Sequence, residues 1–124
     1  MIFITGGLGT GKYRRVLDLG YRPEEIFRGD TDDPDRLTEF RVLYKLNHLV
    51  ERLMGEPLEV EKALSALPLG QLDVVVCDEV GCGVVPADPE GRHYREEVGR
   101  AACRLAAEAR RVERIVCGIP VVIR

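Results

Sequence analysis

Apolar residues in this chain fall into short blocks separated by glycine and proline, and the spacing inside each block predicts an element. Residues 2–5, Ile-Phe-Ile-Thr, form a compact run of strand type that ends at a glycine-rich loop. Residues 12–19 predict a short helix stopped at Gly20. Tyr21-Arg22-Pro23 turns the chain, and residues 25–28 predict a brief strand. An acidic loop follows, residues 30–35. Beyond it Leu37, Phe40, Leu43, Leu46, Val50 and Leu53 recur at helical spacing, predicting one amphipathic helix capped by Asp33 or Asp35 and ended by Gly55. Pro57 predicts the opening of a further helix to Leu67, with Pro68 and Gly70 as its stop.

Residues 72–77, Leu-Asp-Val-Val-Val-Cys, are β-branched and apolar on both faces, as a central parallel strand covered by helices must be. A long helix over 92–111 carries Tyr94, Val98, Ala101, Ala102, Leu105, Ala109 and Val112 on its inner stripe. Residues 114–117 and 121–123 predict two strands hinged at Gly118-Ile119-Pro120, a connection so short that they run antiparallel. The order β-α-(β)-α-α-β-α-β-β predicts an α/β protein with a mostly parallel sheet and an antiparallel edge.

A length of 124 residues predicts one domain, residues 1–124, able to bury a core without staples. With 45% hydrophobic and 31% charged residues and a net charge of −3, the composition is that of a soluble globular protein. No Lys/Arg run stands out, so a nucleic-acid partner is not expected. No apolar run reaches membrane-spanning length, and residues 1–5 lack the features of a signal peptide. The expectation is no membrane partner and a cytoplasmic location. Cys77, Cys82, Cys103 and Cys117 lack metal-ligand spacing and are expected as reduced, buried thiols. His48 and His93 are too scattered to add ligands.

The chemistry concentrates in Gly6-Gly7-Leu8-Gly9-Thr10-Gly11-Lys12, which is G-x-x-x-x-G-K between a strand and a helix. Glycines at this spacing let successive amides point at one anion, the helix adds its positive end, and Lys12 supplies a charge to β- and γ-phosphate oxygens. A bland tight turn between strand and helix is the alternative. The next position, where a Ser or Thr hydroxyl ordinarily coordinates Mg²⁺, is Tyr13. A phenol on a rigid ring cannot place its oxygen there, so nucleotide binding through the backbone survives more readily than phosphoryl transfer does.

Val74-Val75-Val76-Cys77-Asp78-Glu79 looks like a Walker-B strand, in which Asp78 would hold Mg²⁺ and Glu79 would take a proton from an attacking hydroxyl. The alternative is a strand ending in surface acids. Residues 79–86, Glu-Val-Gly-Cys-Gly-Val-Val-Pro, closely resemble the E-V-G-x-G-[IV]-V-P segment of the bifunctional adenosylcobinamide kinase / adenosylcobinamide-phosphate guanylyltransferase family. Arg92-His93-Tyr94-Arg95-Glu96 with Gly99 is similar to its R-x-[YF]-R-D-x-x-G, and Thr5 to Lys12 to its T-G-G-x-x-S-G-K-S. Asp35-Arg36-Leu37-Thr38 is similar to its D-C-L-T. The chain departs at Tyr13 for Ser, Thr10 for Ser, Asp78 for Asn, and Ala102-Cys103 for Asn-Gln. It also lacks the longer middle that holds the family's guanylylated histidine.

The resemblance implies a P-loop NTPase-like three-layer α/β/α fold and a cytoplasmic homo-oligomer. It implies ATP or GTP bound by Gly6, Gly7, Leu8, Gly9, Thr10, Gly11, Lys12 and Tyr13, with Mg²⁺ on Asp78. Lys12, Asp78 and Glu79 would be catalytic, and a corrinoid small molecule the phosphoryl acceptor. Two alternatives stand beside this: a non-catalytic relative that only holds a nucleotide or phosphate compound, and a structural remnant with no ligand.

Overall fold

The computed structural model describes residues 1–55, 59–80 and 88–124. Among these, six strands form one sheet: β1 (Ile2–Gly6), β2 (Ile26–Arg28), β3 (Val42–Tyr44), β4 (Val74–Asp78), β5 (Arg111–Val116) and β6 (Ile119–Val122). Their order is β2-β3-β4-β1-β5-β6. The first five are parallel, and β6 runs antiparallel to β5. The α/β sheet with an antiparallel C-terminal edge is the one the hydrophobic pattern predicts.

Alternation along the strands divides the core in two. Phe3, Phe27, Leu43, Val75, Cys77 and Val112 face one side and pack with α2 (Leu46–Met54), α3 (Val60–Ser65) and α4 (Pro89–Glu108). Ile2, Ile4, Ile26, Val42, Val74, Val76 and Ile115 face the other, where Val16 of α1 (Lys12–Asp18) covers them. The result is three layers, with the sheet buried between helices as parallel strands require. No helix among the described residues is long and apolar enough to cross a membrane.

The principal correction concerns residues 34–54. Instead of one helix, the chain makes a 3-10 segment over Pro34–Glu39, strand β3, and then α2. Asp33 caps the 3-10 segment, accepting a hydrogen bond from the Asp35 amide at 3.0 Å. Val42 and Leu43 are adjacent and both wholly buried, on opposite faces of the sheet. Burial on both faces is a strand's demand; the helical spacing of Leu37, Leu43 and Leu46 is a coincidence of three elements.

Smaller shifts follow. Helix α4 begins at Pro89, where Asp88 accepts from the Gly91 amide at 2.8 Å, and it ends before Ala109 and Val112. The β5–β6 turn is Cys117-Gly118, both with positive φ, so Cys117 lies exposed on a turn rather than buried in a strand. Cys103 is exposed as well. Cys77 is buried as expected, and desolvation pushes its thiol up to about 12. Pro57, Cys82 and the glycine-rich loop over 81–86 lie outside the described residues.

The face covered by α1 holds a charge. Glu113 on β5 is wholly buried, opposite Ile4 of β1. Arg15 of α1 donates to both of its oxygens, at 2.8 and 3.0 Å, and Arg111 donates at 2.7 Å. Hydrogen bonds from Arg15, opposed by desolvation and joined by those from Arg111, hold the Glu113 carboxyl below its ordinary value of 4.5. Its contribution to stability is therefore full above that value and lost as pH falls through the depressed folded one. Glu113→Ala strands two arginines against a sheet and is expected to lower unfolding free energy at about pH 7 by about 3–5 kcal/mol in urea titrations. The gap between wild type and variant should narrow toward about pH 3; an unchanged gap would show that the carboxylate does not anchor α1.

Candidate functional site

The loop between β1 and α1 is shaped by its own backbone. Gly11 precedes α1 in the left-handed region, with φ 99° and ψ 22°, and no side chain caps the helix amides. A Cβ at Gly11 would lie 3.2 Å from the Cα of Gly118, so both conformation and space require glycine. Thr10 Oγ1 donates to the Gly7 carbonyl at 2.9 Å, and the Gly118 amide donates to the Thr10 carbonyl at 2.8 Å. The loop is thus braced by its own threonine and by the β5–β6 turn. Leu8, at 85% exposure, stands out from it.

Lys12 turns inward from the first position of α1 and is buried. Its Nζ donates to the Gly7 carbonyl and pairs with Asp78 Oδ1 at 2.9 Å. Asp78 ends β4 directly beside Gly6 of β1, which places loop and carboxylate on the same edge of the sheet. That edge is the C-terminal one, where ligands of open parallel sheets gather.

A residue invisible to sequence reasoning fixes the carboxylate. Asn47, buried on α2, donates its amide to Asp78 Oδ2 at 3.3 Å and accepts the Asp78 backbone N–H at 3.1 Å. Tyr94 of α4 interacts with the same asparagine: burial pushes the phenol up, and a hydrogen bond with Asn47 pulls it back. A polar residue between Leu46 and Leu49, on a buried helix face, was the one available signal. Glu79 donates its backbone N–H to the Gly6 carbonyl at 2.8 Å, and Arg114 of β5 grips its carboxylate at 2.6 and 3.2 Å. Arg114 also went unread in the sequence.

The residues singled out as chemical, Gly6 to Lys12 with Asp78 and Glu79, therefore converge. Tyr13 is half-buried, its ring edge-on to Tyr44 of β3 with centroids 5.1 Å apart. His48 and His93 lie elsewhere, on α2 and α4, opposite Glu51 at 3.6 Å and Glu97 at 3.9 Å. Chemically, the edge presents an uncapped helix start, a buried ammonium able to change partners, and a carboxylate whose orientation is held from the other side.

Comparison with known proteins falls on the later elements. The model of the family described as cobinamide kinase / cobinamide phosphate guanyltransferase matches residues 42–123, from β3 to the end of the sheet. The glycine-rich loop precedes that stretch, and so does Asp35-Arg36-Leu37-Thr38, which lies in the 3-10 segment and outside the matched residues. The bifunctional adenosylcobalamin biosynthesis protein CobU of Salmonella typhimurium is 47% identical over 51 residues, and the protein of that name from Escherichia coli is 45% identical over 51. Each match takes in 41% of this chain and 28% of the relative's length. With its sheet from β3 onward matched throughout, the chain belongs to the cobinamide kinase / cobinamide phosphate guanyltransferase family.

Proposed function

We propose that this chain binds a nucleoside triphosphate, ATP or GTP, at Gly6–Lys12 and serves the phosphorylation of adenosylcobinamide in cobalamin biosynthesis, in the cytoplasm. The observation that supports it most is the left-handed turn at Gly11, which sets Lys12 beside Asp78 at the open end of β1 and β4. Without an anion, the ammonium neutralises Asp78. An arriving polyphosphate takes hydrogen bonds from the amides of Gly9 to Lys12 and draws the Lys12 ammonium onto its oxygens. Asp78 is then a carboxylate still held by Asn47, and Glu79, held by Arg114, is the second acid beside an acceptor hydroxyl. Self-association, implied by the family resemblance, is supported by the exposed apolar side chains of Ile119, Val121 and Val122 on edge strand β6.

Mg²⁺ fits this donor set poorly. One oxygen of Asp78 stays engaged by Asn47 even when Lys12 has moved to the phosphates, and the position after the lysine holds the Tyr13 ring against Tyr44 rather than a short hydroxyl. These same contacts favour a second reading, in which the chain holds nucleotide without turning it over.

Calorimetry with GTP and ATP, free and with Mg²⁺, separates these readings when paired with a turnover assay on adenosylcobinamide. Binding is expected to depend weakly on Mg²⁺, and Lys12→Ala to weaken it about 10- to 100-fold, or about 1.4–2.7 kcal/mol. Tyr13→Ser should strengthen the Mg²⁺ dependence. No heat with any nucleotide would discard both readings, and binding without turnover would select the second. Asn47→Ala, which frees a buried carboxylate and a buried amide, is expected to cost about 1–3 kcal/mol of stability in urea. It should also reduce turnover more than nucleotide affinity. Because both histidines lie off the loop, labelled GTP should leave no acid-labile, base-stable phosphoramidate; a label lost in His48→Ala or His93→Ala would show that guanylyl transfer persists.

A further inference from the structure

A second polar cluster lies at the C-terminal ends of β2 and β3, one aromatic ring away from the phosphate loop. Arg28 ends β2 and Tyr44 ends β3, paired in register. The chain then turns sharply at Lys45, whose φ of 68° and ψ of 58° are left-handed, and enters α2. Gly29 permits this turn: a Cβ there would lie 2.1 Å from the Lys45 carbonyl. The consequence is that two cations, one ending β2 and one just after β3, meet over one ring. The Arg28 guanidinium lies 5.8 Å and the Lys45 ammonium 5.6 Å from the Tyr44 centroid. The other edge of that neighbourhood is Tyr13, which touches Tyr44 and follows Lys12.

What these cations face is Asp30. Its carboxylate stands 3.6 Å from Arg28 and 3.8 Å from Lys45, beyond hydrogen-bond reach, and its buried Oδ1 has no hydrogen-bond partner. Among the described residues, neither head group donates a hydrogen bond. His48, on the following turn of α2, is the other titratable group whose charge bears on Asp30. The cluster therefore holds two cationic head groups that donate no hydrogen bond and one carboxylate oxygen, Asp30 Oδ1, that accepts none. A tethered carboxylate fills the place of an anion without matching its geometry; a tetrahedral oxyanion could accept from both head groups at once.

We propose that Arg28 and Lys45 form an anion subsite for a phosphate group of a small-molecule ligand, distinct from the phosphate loop and occupied in the unliganded chain by Asp30. The subsite stands independently of the nucleotide reading, since its residues are outside Gly6–Lys12.

Inorganic phosphate titrated into the ¹⁵N-labelled chain, followed by amide chemical shifts, tests both sites in one experiment. Saturable shifts are expected at Gly29, Asp30 and Lys45, separately from those at Gly9 to Lys12. Lys45→Gln should weaken the first set about tenfold and leave the second unchanged, while Asp30→Asn should tighten the first set about five- to tenfold. Lys12→Ala should do the reverse of Lys45→Gln, weakening only the loop set. Each variant's spectrum reports whether it is folded. Unmoved Gly29, Asp30 and Lys45 amides in the wild type, or shifts that Lys45→Gln and Asp30→Asn leave unaltered, would overturn the subsite. Unmoved Gly9 to Lys12 amides would instead remove the phosphate loop while leaving the subsite standing.

Discussion

The buried pair of Lys12 and Asp78 is the constraint on which the rest of the site depends. Burying an ammonium and a carboxylate costs several kcal/mol each unless they meet and their other donors and acceptors are served. Here they meet at 2.9 Å, the Gly7 carbonyl takes another ammonium proton, and Asn47 serves the second carboxylate oxygen. Loop, β4 and α2 must all be in place for that to hold. An ion pair so enclosed contributes little net stability, yet it fixes where the loop sits relative to the sheet edge.

A comparable logic operates across the sheet. Helix α1 has only seven residues and, among the described helices, is the one whose buried side chain joins the Ile2–Ile4 face. Val16, with the partly buried Tyr13 and Leu17, gives it a small apolar footing. Arg15 supplies the remainder by reaching the buried Glu113, with Arg111 completing the carboxylate's partners. Charge thus substitutes for apolar area where the layer is thin. The larger face, with three helices and a wide apolar cluster, needs no such device.

Legibility from sequence followed the number of constraints on each residue. The strand–loop–helix start was plain because glycines, a lysine and flanking periodicity all had to agree, and β4 was plain because both its faces are buried. Strand β3 was hidden: Val42-Leu43-Tyr44 is so short that its apolar residues merged with the stripe of α2. Losing it also hid the sheet edge at Lys45 and the meeting of Arg28 with Tyr44. Asn47 could not be read because its role is defined by Asp78, a partner far away in sequence. Cys117 misled because an apolar neighbourhood suggested a strand, whereas the following glycine marked a two-residue hairpin turn.

The hydrogen bond from Gly118 to Thr10 joins two segments far apart in sequence. During synthesis from the N-terminus, the glycine-rich loop emerges well before the turn that braces it. Until then the Thr10 carbonyl has no donor from that turn, and Glu113 is not yet available to Arg15. A segment made before its brace is therefore finished only with it. Whatever depends on the braced shape of that loop must await the β5–β6 turn.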